Sequence, residues 1–162
     1  MMRNAIVSVF NKTNIKYAVG LLIRENYNIY STGGTYNLLK ESFPDAPINK
    51  VSDLTKFPEI LGGRVKTLHP KIYGGILTTQ KESHLTELIN NNIPVIDTVI
   101  VNLYPFQETI SNPDHSLEDA IENIDIGGVT LIRAACKNYK NVRIFTDPDD
   151  YQCLEHQLYN DT

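Results

Sequence analysis

At 162 residues, with 41% apolar and 21% charged residues, the chain is long enough for one domain with a substantial core and has an ordinary globular composition. Its net charge of −4 argues against broad nucleic-acid binding, which needs a basic face to neutralise phosphates. No apolar run approaches the ~18 residues of a membrane span and no basic-then-apolar leader opens the sequence, so a cytoplasmic protein engaging neither nucleic acid nor membrane is expected.

In chain order, "AIVSVF" (Ala5–Phe10) is apolar and β-rich and reads as a strand. Ile15, Ala18, Val19, Leu22 and Ile23 follow at helical spacing. "YNIYS" is a short strand and "TYNLLKES" a short helix. The middle of the chain, rich in Gly and Pro, reads as irregular. "KESHLTELINNN" is a helix ended by asparagines and Pro94. "DTVIVNLYPF" is the most apolar stretch and reads as a buried central strand. Helical pattern returns in "SLEDAIENI" and "GVTLIRAACKN", then "NVRIFT" is a strand and "DPDDYQCLEHQLY" a last helix with an acidic start. This alternation predicts a single α/β domain over 1–162, built around a mostly parallel sheet. Cys136 and Cys153 have no metal-ligand spacing and read as reduced, partly buried thiols.

In such folds ligands collect at the carboxyl ends of strands, where loops turn into helix N-termini. Five stretches stand at such points. In "SVFNKT", Asn11 is a candidate helix cap, and Lys12 stands near exposed backbone N–H groups, an anion site by charge and geometry. The competing reading is a capped helix with a solvated lysine. In "STGGTY", Gly33 and Gly34 let amides approach an anion, and Thr32 and Thr35 add hydroxyls. A ligand-free glycine turn is the alternative, and neither an NTPase nor a dinucleotide motif is present. In "LGGRVKTLHP", Arg64 and Lys66 flank Val65 and would point the same way from an extended loop, with Thr67 beside them and Gly62 and Gly63 allowing movement. His69, followed by a proline, reads as structural more readily than catalytic. "VNLYPF" puts Asn102 and Tyr104 at the end of the most apolar strand. In "ENIDIGGVTLIRAACKN", Asp125 precedes a glycine pair that opens a helix, and Thr130, Arg133 and Lys137 share one face of it. The plain alternative is a helix whose C-terminal lysine complements its dipole.

Taken together, "SVFNKT", "STGGT", "GGRVKTLHP", "VNLYPF" and "IDIGGVTLIRAACKN" resemble, in order and nearly end to end, the IMP cyclohydrolase module. In that family the module is the N-terminal part of a bifunctional purine-biosynthesis enzyme. The resemblance implies a methylglyoxal-synthase-like α/β/α sandwich. It also implies a homodimer, usually fused to a formyltransferase domain for which this chain has no room. The implied reaction closes the purine ring of 5-formamidoimidazole-4-carboxamide ribonucleotide to give IMP and water, with no cofactor and no metal.

By the same resemblance, the Phe10–Asn11–Lys12 and Thr32–Gly33–Gly34–Thr35 loops bind the 5′-phosphate. Arg64, Val65, Lys66 and Thr67 line the reacting end. Lys66 is expected to stabilise the oxyanion, and Lys137 to be the proton donor and acceptor. Asp125 either orients Lys137 or accepts the amide proton. Tyr104 bonds the base or holds a water, and Val101, Asn102 and Ile126 contact the base through side chain or backbone. Two positions depart from the family: Phe10 stands where a serine is usual, and Tyr73 where histidine is common. Loss of the hydroxyl would remove ~1–3 kcal/mol if it bonded the phosphate. The rival functions are a nucleotide sensor on the same fold, like the regulatory domain of carbamoyl phosphate synthetase, then methylglyoxal synthase, and a small interaction domain. The first does not need Lys66, Asp125 and Lys137 together. The second lacks its His-Asp-Pro-Asp stretch here, and the third requires no cationic pocket.

Overall fold

A computed structural model describes residues 3–160. Five strands, β1 (Arg3–Ser8), β2 (Tyr27–Ser31), β3 (Ile48–Lys50), β4 (Thr98–Val101) and β5 (Arg143–Phe145), form one sheet in the order β3-β2-β1-β4-β5. Every pairing is parallel. The helices are α1 (Ile15–Arg24), α2 (Gly33–Ser42), α3 (Val51–Thr55), α4 (Pro70–Leu77), α5 (Glu82–Asn90), α6 (Phe106–Ser111), α7 (Leu117–Glu122), α8 (Gly127–Lys137) and α9 (Tyr151–Asn160).

Parallel strands need long crossovers, and these place helices on both faces. On one face, Ile15, Ala18, Val19 and Leu22 of α1, Leu39 of α2, and Leu154 and Leu158 of α9 pack on Ala5, Val7 and Ile29. On the other, Val51 and Leu54 of α3, Ile72 and Ile76 of α4, and Leu131, Ala134 and Ala135 of α8 pack on Ile6, Val99 and Val101. Strand β4 is buried at all four residues, which is why Val99, Ile100 and Val101 follow one another without a polar break. Each of its Val and Ile side chains contributes about 1.5–3 kcal/mol of burial. Strand β2, with buried and half-buried residues alternating, keeps a period of two.

The structure corrects the sequence at several points. The middle of the chain is not irregular: it holds β3, α3 and α4. Helix α4 starts at Pro70, and His69 Nδ1 accepts the Lys71 N–H at 3.1 Å as its cap. Asn11 does not cap α1. The helix begins at Ile15 after Asn14, which adopts a left-handed conformation (φ 57°), while Asn11 Oδ1 accepts the Thr13 N–H at 3.0 Å. The β4 strand ends at Val101, ahead of the turn that opens α6. Cys136 and Cys153 are exposed rather than partly buried. Among the described residues, no helix is long and apolar enough to cross a membrane.

Candidate active site

From β1 the chain crosses to β2 on one side, and from β4 to β5 on the other. The carboxyl ends of β1 and β4 are neighbours whose following segments diverge, and that switch point leaves a crevice. A cavity of about 690 Å³ opens there. It is lined by Phe10, Lys12, Thr32 to Thr35, Arg64 to Thr67, Val101, Asn102, Tyr104, Asp125 and Ile126. Asn11 and Lys137, also singled out in the sequence, do not line it.

The anion-ready end is the start of α2. Gly33 is its first residue, at φ 48°, so the unpaired amides of the first turn face the cavity without a side chain over them. Two ammonium groups attend this turn. A Cβ on Gly34 would stand 4.0 Å from Lys12 Nζ, and one on Gly33 would stand 3.4 Å from Lys66 Nζ. Lys12 Nζ also donates to the carbonyls of Val9 and Phe10, each at 3.2 Å. Lys66 packs on Gly63, where a Cβ would lie only 2.8 Å from its Cε. Thr35 is not a free hydroxyl: it donates to the Val9 carbonyl at 2.9 Å and accepts the Val9 N–H at 3.2 Å. Thr32 shares a 2.8 Å hydrogen bond with Ser8, a wall residue that the sequence reading left out although it ends β1.

Asn102 lines the cavity and bonds the neighbouring loop. Its Oδ1 accepts the N–H groups of Phe10 (2.7 Å) and Asn11 (2.8 Å), and its Nδ2 donates to the Asn11 carbonyl at 2.9 Å. The carboxamide therefore ties the β4 exit to the β1 loop, and one Nδ2 hydrogen is left for a ligand. The same bonds occupy two amides that were assigned to phosphate.

The stretch from Leu61 to Lys66 is not extended. Leu61–Gly63 form a 3-10 turn, and Ile60 bridges to Val65. Arg64 and Lys66 therefore find different partners: Arg64 Nη2 pairs with Glu122 Oε1 of α7 at 2.7 Å, while Lys66 lies at the glycine turn. No local pattern marked Glu122 as a partner 58 residues away.

At the start of α8, Asp125 Oδ1 accepts the Gly128 N–H at 2.7 Å and Oδ2 accepts the Tyr104 N–H at 3.1 Å. The carboxylate thus caps α8, whose positive end favours its charge, and keeps remaining lone pairs for a ligand. Lys137 is the last residue of α8, ten residues beyond Gly127, or about 15 Å along the axis. Asp125 consequently does not orient Lys137 within one chain. Thr130, on the same flank, bonds Tyr73 at 2.7 Å. Burial pushes the Tyr73 pKa up, and the hydrogen bond to Thr130 opposes that shift. Tyr73 therefore braces the cavity wall against α8.

A second depression, at the amino ends of the strands, is lined by Arg3, Asp97 and Arg143. Arg3 pairs with Asp97 at 3.1 Å and Arg143 with Asp97 at 4.0 Å, so this end is occupied by its own ion pairs. Among the described residues, no three His, Cys, Asp or Glu side chains are grouped to hold a metal ion.

Residues 15–130 match the family described as MGS-like domain. The bifunctional purine biosynthesis proteins PurH of Staphylococcus aureus strains USA300 and NCTC 8325 / PS 47 are each 54% identical to the chain over 162 residues, covering 99% of it and 32% of their own length. The chain thus spans about a third of the length of these curated relatives. A solved structure, "Crystal structure of ForH", aligns with a TM-score of 0.86 and 35% identity, covering 99% of this chain and 80% of that one.

Proposed function

The chain belongs to the family of MGS-like domains, and on that premise we propose that it is an IMP cyclohydrolase acting in purine biosynthesis. The observation that carries this reading is the meeting of two chemistries in one crevice. An open helix start with Lys12 suits a phosphate dianion, while Lys66 and Asp125, the latter fixed by two backbone amides, suit charge stabilisation and proton transfer. Identity to the PurH proteins supports the same reaction.

The substrate is 5-formamidoimidazole-4-carboxamide ribonucleotide. Its carboxamide nitrogen attacks the formyl carbon, and a C–N bond forms while the carbonyl pair moves to oxygen. The attacking nitrogen gives up a proton and the oxyanion takes one to become a hydroxyl; the hydroxyl then leaves as water with a second proton, as the formamido nitrogen loses its own proton and a C=N bond forms. No electrons are exchanged with any other group. The phosphate sits on the α2 start and Lys12. Lys66 stabilises the developing oxyanion, and no carboxylate among the described residues holds its ammonium in an ion pair. Asp125 accepts the proton from nitrogen, and Tyr104 closes the same end of the cavity. Losing a preorganised donor of this kind costs ~10²- to 10³-fold in turnover. Lys137 stays outside this set in a single chain.

The protein works in the cytoplasm on this small molecule, as a homodimer. Leu117, Ile121 and Ile124, exposed along α7 and the segment after it, support the dimer as an uncovered apolar face. Sedimentation of the purified chain tests that point. The function is tested by incubating the chain with the formamido ribonucleotide, without folate or metal, and following purine absorbance. IMP formation by the parent, lost in Lys66→Ala and Asp125→Asn, is expected. An inactive parent that still binds IMP would favour a nucleotide sensor.

A further inference from the structure

Phe10 is 49% exposed and lines the cavity beside Lys12. A large aromatic ring left half in water is worth explaining when its backbone is held fast. Here the Phe10 N–H is bonded to Asn102 Oδ1 at 2.7 Å, so the ring hangs from a pinned loop rather than a loose one. Its ring centroid lies 5.7 Å from that of Tyr104, at an interplanar angle of 86°. Tyr104 is itself 40% exposed, and its N–H is bonded to Asp125.

An edge-to-face pair leaves flat ring surface available, because only one face of one ring is covered by the other's edge. A planar heterocycle laid on the Phe10 face would displace water from apolar surface that the fold itself leaves wet. The cations stand at the neighbouring glycine turn. A ligand with an anionic end and a flat aromatic end matches both features at once, and a bare sugar phosphate matches only the first.

We propose that the Phe10 ring is a base-stacking surface, and that it sets the preference of this site for base-bearing nucleotides over sugar phosphates. This inference deepens the cyclohydrolase reading and rests on the same crevice, but it makes a separable claim. The Phe10 side chain touches the base, while the phosphate is left to Lys12 and the α2 start.

The test is a calorimetric titration of the parent, Phe10→Ser and Phe10→Leu with IMP, AMP and ribose 5-phosphate. Circular dichroism checks that each variant is folded. Removing one aromatic stack is expected to weaken IMP and AMP by about tenfold in Phe10→Ser, with an intermediate loss in Phe10→Leu. Ribose 5-phosphate is expected to change by less than about twofold, because the amides and cations at the α2 start remain. Equal weakening of all three ligands would overturn the proposal and make Phe10 a loop-shaping residue. Unchanged IMP and AMP binding would overturn it too, as would a parent that binds nucleotides no better than ribose 5-phosphate. A parent that discriminates through Phe10 but makes no IMP would uphold the stacking surface while removing the cyclohydrolase reading.

Discussion

Replacing Asn102 by alanine tests how far the crevice depends on one carboxamide. The side chain makes three hydrogen bonds of 2.7, 2.8 and 2.9 Å to the backbone of Phe10 and Asn11. All three are open to solvent, so each falls near the lower end of the usual net value, about 0.5 kcal/mol, for a total of about 1.5 kcal/mol. For a chain of this length that corresponds to a fall in Tm of about 3–6 °C. The larger consequence is functional. The loop that carries Lys12 and Phe10 loses its tie to β4 and must be ordered by the ligand, which is expected to weaken IMP about tenfold. Asn102→Asp separates the two effects. It keeps an acceptor for both N–H groups, loses the donor to the Asn11 carbonyl, and brings negative charge close to the phosphate. Its Tm should stay nearer the parent while its IMP affinity falls at least as far. Thermal denaturation and calorimetric titration of the three proteins provide the readout. An Asn102→Ala protein with parental Tm and parental affinity would refute the tie. A lowered Tm with unchanged affinity would refute the link between the loop and the ligand.

Gly128→Ala would bring a Cβ to 2.7 Å from Leu103 Cδ2 and 2.8 Å from Asp125 Oδ1. Displacing both should cost about 1–3 kcal/mol of stability, and turnover should fall with the shift of Asp125. Scanning calorimetry and kcat measure the two losses. At Gly75 the new atom would meet the Pro94 carbonyl at 2.5 Å, far from the crevice chemistry, so Gly75→Ala should unfold the domain more readily and serves as the structural contrast. Lys137→Ala is expected to lower turnover far less than Lys66→Ala, because Lys137 does not line the crevice and stands about 9 Å along α8 beyond Leu131, the last residue of that helix to do so. Equal losses in a turnover assay would mean that a second copy brings its Lys137 to this cavity. Alkali should unfold the protein between about pH 10 and pH 12. Burial, first, raises Tyr27 to about 12, with a bond to Thr98 opposing, and burial followed by the Asp147 charge raises Tyr151 to about 12. Both phenols are held neutral in the fold. The stability this adds is complete below their unfolded value near 10 and is lost as pH rises toward 12. Tyr27→Phe should shift the alkaline midpoint upward in a circular dichroism titration.

The α/β alternation was readable because β4 and the α1 and α8 faces carry unbroken apolar patterns. Val99, Ile100 and Val101 are buried, and Leu131, Ala134 and Ala135 repeat at helical spacing. Strand β3 and helix α3 were missed because three and five residues are too few for a period to register. Helix α4 did carry a signal, a histidine cap followed by proline at its first position, within a stretch whose glycines suggested a loop. The members of the site were legible as strand ends and glycine turns, whereas their bonding was not. Asn102 meets Phe10 across 92 residues and Arg64 meets Glu122 across 58, separations on which local spacing is silent. Lys137 shows the complementary failure. Its angular position beside Thr130 on α8 followed from periodicity, but periodicity does not limit how far along the axis a residue stands from Asp125.

The most direct measurement is a crystal structure of the chain with IMP. Phosphate density over the first turn of α2, beside Lys12, with the purine between Phe10 or Tyr104 and the Asp125 end of the crevice, is the expected result. Nucleotide bound instead at the amino ends of the strands near Asp97, or lying in the crevice with its phosphate away from the glycine turn, would contradict the assignment of this cavity as the site of ring closure.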